Sequence, residues 1–584
     1  MLNRVSIRTL AEFVHRKGDL YPALGGRVTG EQGIAAQRRA QANRPPSYRR
    51  EASVERTFER SGVRLQVSGR LDGCDLDAPV PLVEEIKTTR AEPVDAERQL
   101  GSAHWAQAQL YAALLSIDHP ERQRWHLRLL YCHPTKPEQN AFDRIVGSDE
   151  LSEFLDGTLT VYCRWLEAQV SYARDRDRWL SGREFPYGDF RPHQRALAGR
   201  VFRALSTAEH LLLESPTGSG KTMGVLYPAL KALATGRVQR LFYLTSRGTG
   251  SLAVMKACQD VGQGADQIRV VELVAKEKVC PVPGMPCDAS CSRQTGYYER
   301  LPAAVDELLA RRIMNRAEVQ EVATHHHVCP FELSLDASVW ADLVVGDYNY
   351  LFDPVVRLQR FGADPELGLL IDESHQLADR VRDMLSLTLD RSHVRQALAE
   401  SPPRPLRQRL RGLDRALLAM RRAHVTDLEA APDRENVIPP PDGVLRAMGR
   451  ALETLADDLL DLTAYPETRQ LIFTLSRWER SASWAGTTGC EPPFRYLLNL
   501  GARPGKTREL TLRLVCLDCG PYLSSIFGCY GGHVRFSGTV TPMPLYQTLH
   551  GMPEAPAERV QNAFDPAQMA TLVVNDLPVY FSQR

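Results

Sequence analysis

The sequence predicts an α/β fold in which a parallel sheet follows a smaller α/β unit. Apolar strands at 211–213 and 241–244 alternate with helical segments, a pattern typical of strands joined by crossover helices. A glycine-rich turn separates the first of these strands from its helix. The alternation of apolar and polar residues between 63 and 86 predicts the strands of the smaller unit.

In the smaller unit, Val63, Leu65 and Val67 alternate with polar residues and predict one strand, and residues 82–86 predict a second. Residues 105–117 predict a helix. We place this unit at 1–175, because a charged stretch at 174–183 marks a boundary.

The second unit is predicted over 176–545, with a remaining segment at 546–584. Two insertions are expected within it, one at 258–335 rich in Cys, Pro and His and one at 376–485 with leucines at helical spacing. Residues 510–517 and 534–537 are predicted to return the chain to the parallel sheet.

The composition is that of a folded protein of 584 residues, 43% hydrophobic and 24% charged. The net charge is +1, so binding of nucleic acid would depend on local basic grooves. Neither a run of about 18 apolar residues nor the apolar segment of a signal peptide is visible. We therefore expect a cytoplasmic protein without a membrane partner.

The glycine-rich turn predicts a P-loop, since it follows an apolar strand and precedes a helix. Its small residues let backbone N–H groups surround phosphates, while Lys221 reaches the β- and γ-phosphates and Thr222 binds Mg²⁺. Ser215 replaces the usual first glycine. The alternative is a chance glycine-rich turn. The predicted ATP-binding residues are Gln194, Ser215, Thr217, Gly218, Ser219, Gly220, Lys221 and Thr222.

An acidic pair follows the apolar run 369–371. Asp372 is predicted to bind the Mg²⁺, and Glu373 to orient and deprotonate the attacking water. An isolated acidic pair is more often a solvated turn. Together with the P-loop, the pair favours hydrolysis of a nucleoside triphosphate.

Asp372–His375 resembles the DEAH box of superfamily 2 helicases, and further stretches resemble the XPD/DinG branch. These stretches are 185–187, 191–194, 245–247, 342–354 and 536–542. The resemblance covers 185–584.

The resemblance implies a RecA-like helicase domain that uses ATP to move 5′ to 3′ on single-stranded or forked DNA. It implies a catalytic role for His375, a position near adenine for Gln194, and positions near the DNA backbone for Thr245 and Arg247. It further implies a DNA-repair role and association with the nucleoid.

The same resemblance implies a second RecA-like lobe with a QxxGRxxR pattern, which the sequence does not contain. We expect 546–584 to be the start of a truncated second lobe. Either the chain is a fragment or another polypeptide completes the nucleotide site. The alternative is a DNA-binding or scaffold protein that is not a motor and whose P-loop is vestigial.

Four cysteines in the first insertion are separated by six, three and thirty-seven residues: Cys280, Cys287, Cys291 and Cys329. This spacing suits a [4Fe–4S] cluster or structural zinc, and unrelated buried thiols are a further alternative. The surrounding sequence resembles the iron–sulfur insertion of XPD-like helicases, which implies a [4Fe–4S] cluster beside the DNA path. His325–His327 are alternative ligands, or are solvated or in contact with DNA. Cys516 and Cys519 are expected to be core residues.

The first unit carries a second candidate active site. On a strand, Glu85 and Lys87 point to the same face, and Asp72 at the end of a neighbouring strand can converge with them. Asp72 and Glu85 would bind Mg²⁺ while Lys87 steadies the attacking water, as phosphodiester hydrolysis requires. The pattern resembles the core of PD-(D/E)xK nucleases.

Gln107 and Tyr111 lie at i and i+4 on one helical face and resemble the QxxxY motif of RecB-like nucleases, whose Gln and Tyr lie near the scissile strand. Gln37 stands where relatives commonly carry a metal-binding His, and Glu51 could supply a substitute carboxylate. The unit is either an active nuclease or a degenerate fold that only grips DNA.

Overall fold

The computed structural model describes most of the chain, and the fold below refers to that part. The described residues are 2–20, 28, 30–60, 62–216, 218–246, 248–263, 267–283, 287, 290–424, 434–457, 462, 464–485, 493–503 and 506–561. Predictions for Thr217, Arg247 and 562–584 lie outside them. No helix in these described ranges is long and apolar enough to cross a membrane.

The first unit is a six-stranded mixed sheet with helices packed against it. The strand order is β1-β3-β4-β5-β6, with β2 pairing along the other edge of β3. The predicted strands and helix are confirmed as parts of β3, β4 and α3. The elements are β1 (Leu2–Ser6), α1 (Ile7–His15), α2 (Gly30–Gln41), β2 (Arg49–Arg60), β3 (Val63–Asp75), β4 (Leu82–Thr88), α3 (Pro93–Asp118), β5 (Arg124–Cys132), β6 (Gln139–Gly147) and α4 (Ser148–Gly182).

Helix α4 joins the two units without a break, and the predicted boundary at residue 175 falls inside it. Leu151 and Leu159 pack into the core of the first unit, whereas Leu180 packs into that of the second. The charged stretch at 174–183 is therefore mostly helix. Its charges did not mark a linker because Arg176 and Leu180, four residues apart, share one buried helical face.

The second unit is built on an eight-stranded sheet of order β10-β9-β11-β8-β12-β17-β7-β18, and every pair in it is parallel. The strands of this unit are β7 (His210–Glu214), β8 (Arg240–Thr245), β9 (Val270–Glu272), β10 (Ile313–Met314), β11 (Leu343–Asp347), β12 (Asp364–Asp372), β13 (Leu387–Asp390), β14 (Asn436–Ile438), β15 (Phe494–Arg503), β16 (Lys506–Cys516), β17 (Tyr530–Ser537) and β18 (Ala557–Arg559).

Helices cover this sheet and fill both predicted insertions. The predicted leucine stripe of the second insertion lies on α15, where its members are buried. The helices are α5 (Gln194–Ser206), α6 (Lys221–Leu233), α7 (Gly248–Gly262), α8 (Lys276–Val279), α9 (Tyr297–Ala310), α10 (Arg316–His325), α11 (Pro330–Ser338), α12 (Asn349–Phe352), α13 (Leu377–Leu385), α14 (Arg391–Ala399), α15 (Arg404–Ala423), α16 (Asp442–Asp457), α17 (Pro466–Ala485), α18 (Gly520–Phe527) and α19 (Met543–Leu549), with 3₁₀ turns at Gln359–Phe361 and Ser374–Gln376.

Two predictions about this unit were wrong in detail. Residues 510–517 do not rejoin the parallel sheet, since β16 belongs to a four-stranded antiparallel sheet of order β13-β16-β15-β14. Leu510, Leu512 and Leu514 alternate as in a half-buried antiparallel strand, unlike the continuous apolar run of β12. The segment 258–335 is not a separate insertion throughout, because β9 and β10 within it pair in the parallel sheet.

The two units also meet through a short strap, residues 16–20, which follows α1 and reaches the cysteine-rich insertion. Gly18 and Leu20 bond to the backbone of that insertion at 3.2 and 3.0 Å, and Lys17 N donates to Ser102 Oγ of α3 at 3.2 Å. The guanidinium carbon of Arg16 lies 3.7 Å from the centre of the Tyr298 ring. The strap thus lies against both units.

A buried ionic network holds the same junction. Asp342, immediately before β11, accepts hydrogen bonds from Tyr172 and Arg176 of α4 and, at 2.7 Å, from the backbone N–H of Arg269. Two side chains of α4 and one backbone N–H of the second unit therefore satisfy one buried carboxylate.

Candidate functional site

The glycine-rich turn follows β7 and wraps back toward β17. Ser215 is fully buried, its N–H donates to the Ser537 carbonyl at 2.8 Å, and its hydroxyl lies 2.8 Å from that of Ser219. Gly218 and Gly220 adopt left-handed φ angles of 81° and 78°, which glycine accepts without strain. Serine is thus tolerated in place of the first glycine because its hydroxyl closes the loop from inside.

Two charged motifs meet beside this loop. Lys221 starts α6, and its Nζ lies 3.7 Å from Glu373 Oε1. Tyr243 donates to Asp372 Oδ2 at 3.0 Å and is also hydrogen-bonded to Thr222. The two predicted magnesium ligands, Thr222 and Asp372, are therefore joined through one buried phenol.

Burial raises the pKa of Asp372, and the charge of Glu373 adds to the effect. A divalent cation bound there would offset that cost. Sequence reasoning missed Tyr243 because nothing in an apolar strand shows which neighbour its hydroxyl will meet.

His375 links the acidic turn to β17. Its Nδ1 lies 2.7 Å from Ser537 Oγ, and that hydroxyl donates to Glu373 Oε2 at 3.3 Å. Glu373 itself has a left-handed φ of 51°, a conformation that costs energy for a residue with a side chain. These contacts fix the carboxylate that faces Lys221.

Gln194 lies under the glycine-rich loop. It is 3% exposed, its Oε1 accepts from Arg191 N at 3.0 Å, and its Nε2 donates to the Gly220 carbonyl at 3.1 Å. Arg191 also donates to the Gly218 carbonyl. In this structure the Gln194 amide nitrogen supports the loop, and its oxygen holds the backbone of Arg191, whose side chain contacts the loop as well.

Thr245 ends β8 and is buried beside Gly250, where an added Cβ would lie 3.1 Å from the threonine Cβ. Its backbone carbonyl accepts from Tyr348 N at 3.3 Å. The contact of Thr245 with DNA stays a prediction. Arg247, the other residue predicted to lie near DNA, is outside the described residues.

The first unit brings its predicted catalytic residues together. Lys87 Nζ donates to Glu85 Oε1 at 2.6 Å and to Gln107 Oε1 at 3.1 Å. Asp72, across the sheet, accepts from the backbone N–H of Ile86 at 2.7 Å. Convergence of these side chains follows from the i, i+2 spacing on β4 and from α3 crossing its face.

The site carries an excess of buried negative charge. Glu85 is 2% exposed, and its Oε2 has no hydrogen-bond partner in the described part of the chain. Burial, reinforced by the charge of Glu85, raises the pKa of Asp72 to about 7. An unpaired carboxylate oxygen beside a carboxyl group of raised pKa fits a divalent cation with oxygen ligands, such as Mg²⁺.

Helix α3 supplies the remaining predicted side chains. Tyr111 donates to the Arg70 carbonyl at 2.9 Å and packs on Gly69, where a Cβ would lie 2.8 Å from the phenol oxygen. Tyr111 therefore also positions the end of β3. His104 lies one turn before Gln107 and bonds the Tyr131 hydroxyl at 2.8 Å. Sequence reasoning missed His104, although its i−3 spacing from Gln107 was visible.

The two substitutes considered for the absent histidine differ in the structure. Gln37 Nε2 donates to Asp72 Oδ1 at 2.9 Å, so Gln37 does reach the site. Glu51 does not act there, because its carboxylate pairs with Arg70 at 3.5 Å and its side chain is 54% exposed. The left-handed φ of Glu51, 52°, accompanies this different orientation.

All four cysteines of the insertion line one open cavity of about 360 Å³. Leu20, at the end of the strap, lines it too. Cys329 precedes the first turn of α11, and burial raises the pKa of its thiol although the backbone N–H groups of Phe331 and Glu332 act in the opposite direction. A hydrogen bond with Cys287 raises the pKa of Lys276 despite its burial, so a cation accompanies the thiols.

The spacing of the thiols is wide. Zinc bound by four thiolates at about 2.3 Å would hold its sulfurs about 3.8 Å apart. Within the described ranges, the group of three or more potential ligand atoms lying within 4.8 Å is that of Glu307, His325 and His326, which includes no cysteine. In the described structure the four sulfurs are therefore not drawn together as four zinc-bound thiolates would be.

The neighbouring histidines are engaged elsewhere. His325 and His326 bond Glu307 at 2.8 and 2.9 Å, and His327 bonds Ser292 at 3.1 Å. They do not line the cysteine cavity, so the alternative that they replace a thiol ligand is not supported.

The remaining pair, Cys516 and Cys519, is buried. The thiol of Cys519 donates to the Ala378 carbonyl at 3.4 Å, and burial raises the pKa of both thiols to about 12. They are core residues, as expected.

The fold and site of the second unit are those of a P-loop nucleotide-binding site. Residues 242–394 match the model of the DEAD_2 family. The matched segment contains the Asp372–His375 turn and the strands on either side of the cysteine cavity. These findings support an XPD-type superfamily 2 helicase as the relationship of this segment.

Curated relatives match about a third of the chain. The helicase subunit XPD of general transcription and DNA repair factor IIH from Dictyostelium discoideum is 22% identical over 237 residues, 35% of this chain and 30% of that protein. The corresponding subunit from Arabidopsis thaliana is 24% identical over 251 residues, 35% and 32%. A regulator of telomere elongation helicase 1 homolog from Culex quinquefasciatus is 21% identical over 276 residues, 36% and 28%.

The aligned parts thus span about a third of the length of these relatives. Among solved structures, an XPD helicase is similar over 64% of this chain and 62% of its own, at 17% identity and a TM-score of 0.41. A truncated XPD is similar over 62% of this chain and 99% of its own, at 17% identity and a TM-score of 0.40.

Proposed function

We propose that the protein is an ATP-dependent DNA helicase joined to a metal-dependent DNA nuclease and that it acts in DNA repair. The observation that carries the helicase part is the meeting of Lys221 with Glu373, and of Thr222 with Asp372 through Tyr243. Substrate and direction come from the resemblance: single-stranded or forked DNA, travelled 5′ to 3′.

In this proposal the loop N–H groups and Lys221 hold the phosphates of ATP. Thr222 and Asp372 would hold Mg²⁺, which supplies charge neutralisation at the β- and γ-phosphates. Glu373 accepts the proton of the attacking water. Ser537 and His375 orient Glu373, so β17 positions the base without touching the nucleotide.

The nucleotide site is open on one side, because the Glu373 side chain is 42% exposed. Members of the resembled family close such a site with a second RecA-like lobe. We therefore include in the proposal a second lobe, or another polypeptide that supplies it, as the partner for full turnover.

The nuclease part is supported by the unpaired Glu85 Oε2 beside Asp72. Both carboxylates would bind Mg²⁺, which supplies a polarised water and neutralises the phosphate. Lys87 is positioned by Glu85 and Gln107 to donate toward the developing negative charge. A second candidate is a nuclease fold that only binds DNA. One contact favours it, because Gln37 donates a hydrogen bond to an Asp72 oxygen that would otherwise be available to the metal.

We further propose that Cys280, Cys287, Cys291 and Cys329 hold a [4Fe–4S] cluster. The four cysteines line one cavity and are spaced widely, which supports this proposal. Lys276 lines the same cavity, and its positive charge would balance the negative charge of the cysteine thiolates. The cluster would fix the insertion that carries α9 and α11 and that receives the strap.

The helicase and nuclease proposals are tested together on the full chain purified without oxygen. ATP hydrolysis with and without single-stranded DNA, and Mg²⁺-dependent cleavage of the same DNA, are measured for wild type and single variants. Lys221→Ala is expected to lose ATP turnover and keep cleavage, and Lys87→Ala to do the reverse. Lys136→Ala, which removes an exposed lysine far from both sites in the sequence, is the matched control.

Loss of both activities in either variant would contradict two independent sites. Cleavage absent from the wild type with both Mg²⁺ and Mn²⁺, while DNA is still bound, would favour the gripping alternative. Nucleotide binding without DNA-stimulated turnover would contradict the motor for this chain on its own.

A further inference from the structure

Strand β17 carries a fully buried arginine behind the nucleotide site. Arg535 and His533 are both 0% exposed. Side chains alternate along a strand, so His533, Arg535 and Ser537 share one face. Val534 and Phe536 point to the other face, where they join the apolar core.

Arg535 has no acceptor among the described residues. All three guanidinium nitrogens lack a hydrogen-bond partner, and so do both ring nitrogens of His533. The ionisable groups near Arg535 are also basic. Its positive charge helps to lower the pKa of three histidines: His210, His533 and His550. The cluster therefore holds several donors and no negative charge within the described part of the molecule.

A cation in this position needs compensation. Phe527 places its ring 5.6 Å from the Arg535 guanidinium carbon, and a cation–π contact of this kind offsets only part of the cost of burial. Burial lowers the pKa of Arg535 to about 9, which still leaves it protonated at neutral pH. Arg535 therefore does not lose its charge by deprotonation at neutral pH.

The surroundings limit the size of a compensating ligand. The His533 ring stacks on His210 with centroids 4.5 Å apart and on Phe527 at 4.2 Å. Rings in direct contact leave no gap between them for a phosphate or a second ring. The donors of Arg535 and His533 lie on one strand face, so an acceptor shared by them would have to be small.

We propose that Arg535 and His533 form a buried binding site for a small monovalent inorganic anion, occupied by chloride in ordinary buffers. The anion accepts hydrogen bonds from the guanidinium and from an imidazole N–H. This site is separate from the P-loop and holds a ligand that is not consumed.

The site is connected to the nucleotide site by two contacts. Ser537, two residues along the same face, bonds His375 and Glu373. His550 lies against the backbone of Ser374, in the acidic turn itself. An anion that holds Arg535 in place would therefore steady the strand that positions Glu373, and ATP turnover is expected to fall when chloride is replaced.

The test uses the full chain in two measurements. Crystals grown in bromide are examined for anomalous scattering near Arg535, and thermal unfolding is followed in sodium chloride and in sodium gluconate of equal ionic strength. We expect a bromide peak within about 3.5 Å of the guanidinium nitrogens and a higher midpoint in chloride. Arg535→Met should remove the chloride dependence, and Arg203→Met, at an exposed position of α5, should keep it.

Ordered water alone at Arg535, equal midpoints in chloride and gluconate, or a chloride effect that survives in Arg535→Met would each overturn the proposal. If Arg535→Met does not fold, the bromide peak and the wild-type comparison decide the matter by themselves. The outcome is independent of whether the chain is a helicase, since neither measurement uses ATP or DNA.

Discussion

Binding of Mg²⁺ at the nuclease-like site is expected to depend on pH through Asp72. Burial beside Glu85 raises the pKa of Asp72 from 3.8 to about 7. Because its pKa is raised, Asp72 binds a proton more tightly in the metal-free folded protein than in the unfolded chain. The protonated form therefore stabilises the fold, and this contribution to the free energy of unfolding is lost as the pH rises through 7. Mg²⁺ binds the carboxylate, so it must displace the proton at lower pH.

The magnitude follows from that pKa. About one tenth of Asp72 is ionised at pH 6 and about nine tenths at pH 8, so the apparent affinity for Mg²⁺ should rise about tenfold between them. Binding should release about 0.9 proton at pH 6 and about 0.1 at pH 8.

Isothermal titration calorimetry in buffers of different ionisation enthalpy measures both quantities. The titration is made without nucleotide in an Asp372→Asn background, because Asp372 is the other predicted magnesium ligand. Asp72→Asn should abolish the pH-dependent binding, whereas Asp77→Asn, at an exposed position nearby, should leave it intact. Affinity that does not change between pH 6 and pH 8, or binding without proton release, would refute the reasoning.

Four further predictions concern single side chains. Ser537→Ala should slow ATP turnover more than it changes the KM for ATP, since it frees Glu373 without touching the nucleotide; an effect on KM alone would contradict this. Tyr243→Phe should weaken Mg²⁺-dependent ATP binding, because Thr222 and Asp372 lose the hydroxyl to which both are hydrogen-bonded. A magnesium titration of nucleotide binding would show it. Cys291→Ser should lower the iron and sulfide content and the visible absorbance, whereas Cys519→Ser should not. Asp342→Leu should destabilise the folded protein by about 3–5 kcal/mol in urea unfolding, since it removes the buried acceptor of Tyr172 and Arg176 and leaves Arg176 only its ion pair with Asp177. A value near zero would count against the junction described.

Sequence patterns predicted much of this fold because they act locally. The spacing of Glu85 and Lys87 fixed a common face, and the strand before Lys221 fixed the place of the loop. Strand β16 was assigned to the wrong sheet, since an alternating strand does not reveal its partners. The boundary at 175 was misplaced because charged residues can cover a continuous helix as well as a linker.

Predictions of the site failed where the contact is long-range. Tyr243 and His104 are ordinary residues of a strand and a helix until the fold brings Thr222 or Tyr131 against them. Arg535 lies in the predicted segment 534–537, and only the packing of Phe527 and His533 shows that it is buried. Tyr243 and Arg535 carry no local signal in composition or periodicity, and the spacing of His104 does not show its contact with Tyr131.

For the proposed function, the unbroken helix α4 and the strap have a consequence for how the two proposed activities would act on one DNA molecule. Units joined by a flexible linker sample many separations, and their mutual effective concentration depends on linker length. Here α4 and the strap fix the separation of the two sites. A DNA strand bound at both sites would therefore span a constant distance. Fragment lengths from such an enzyme would be narrowly distributed, and inserting residues into α4 would change the length of the product before it changed the rate of either reaction.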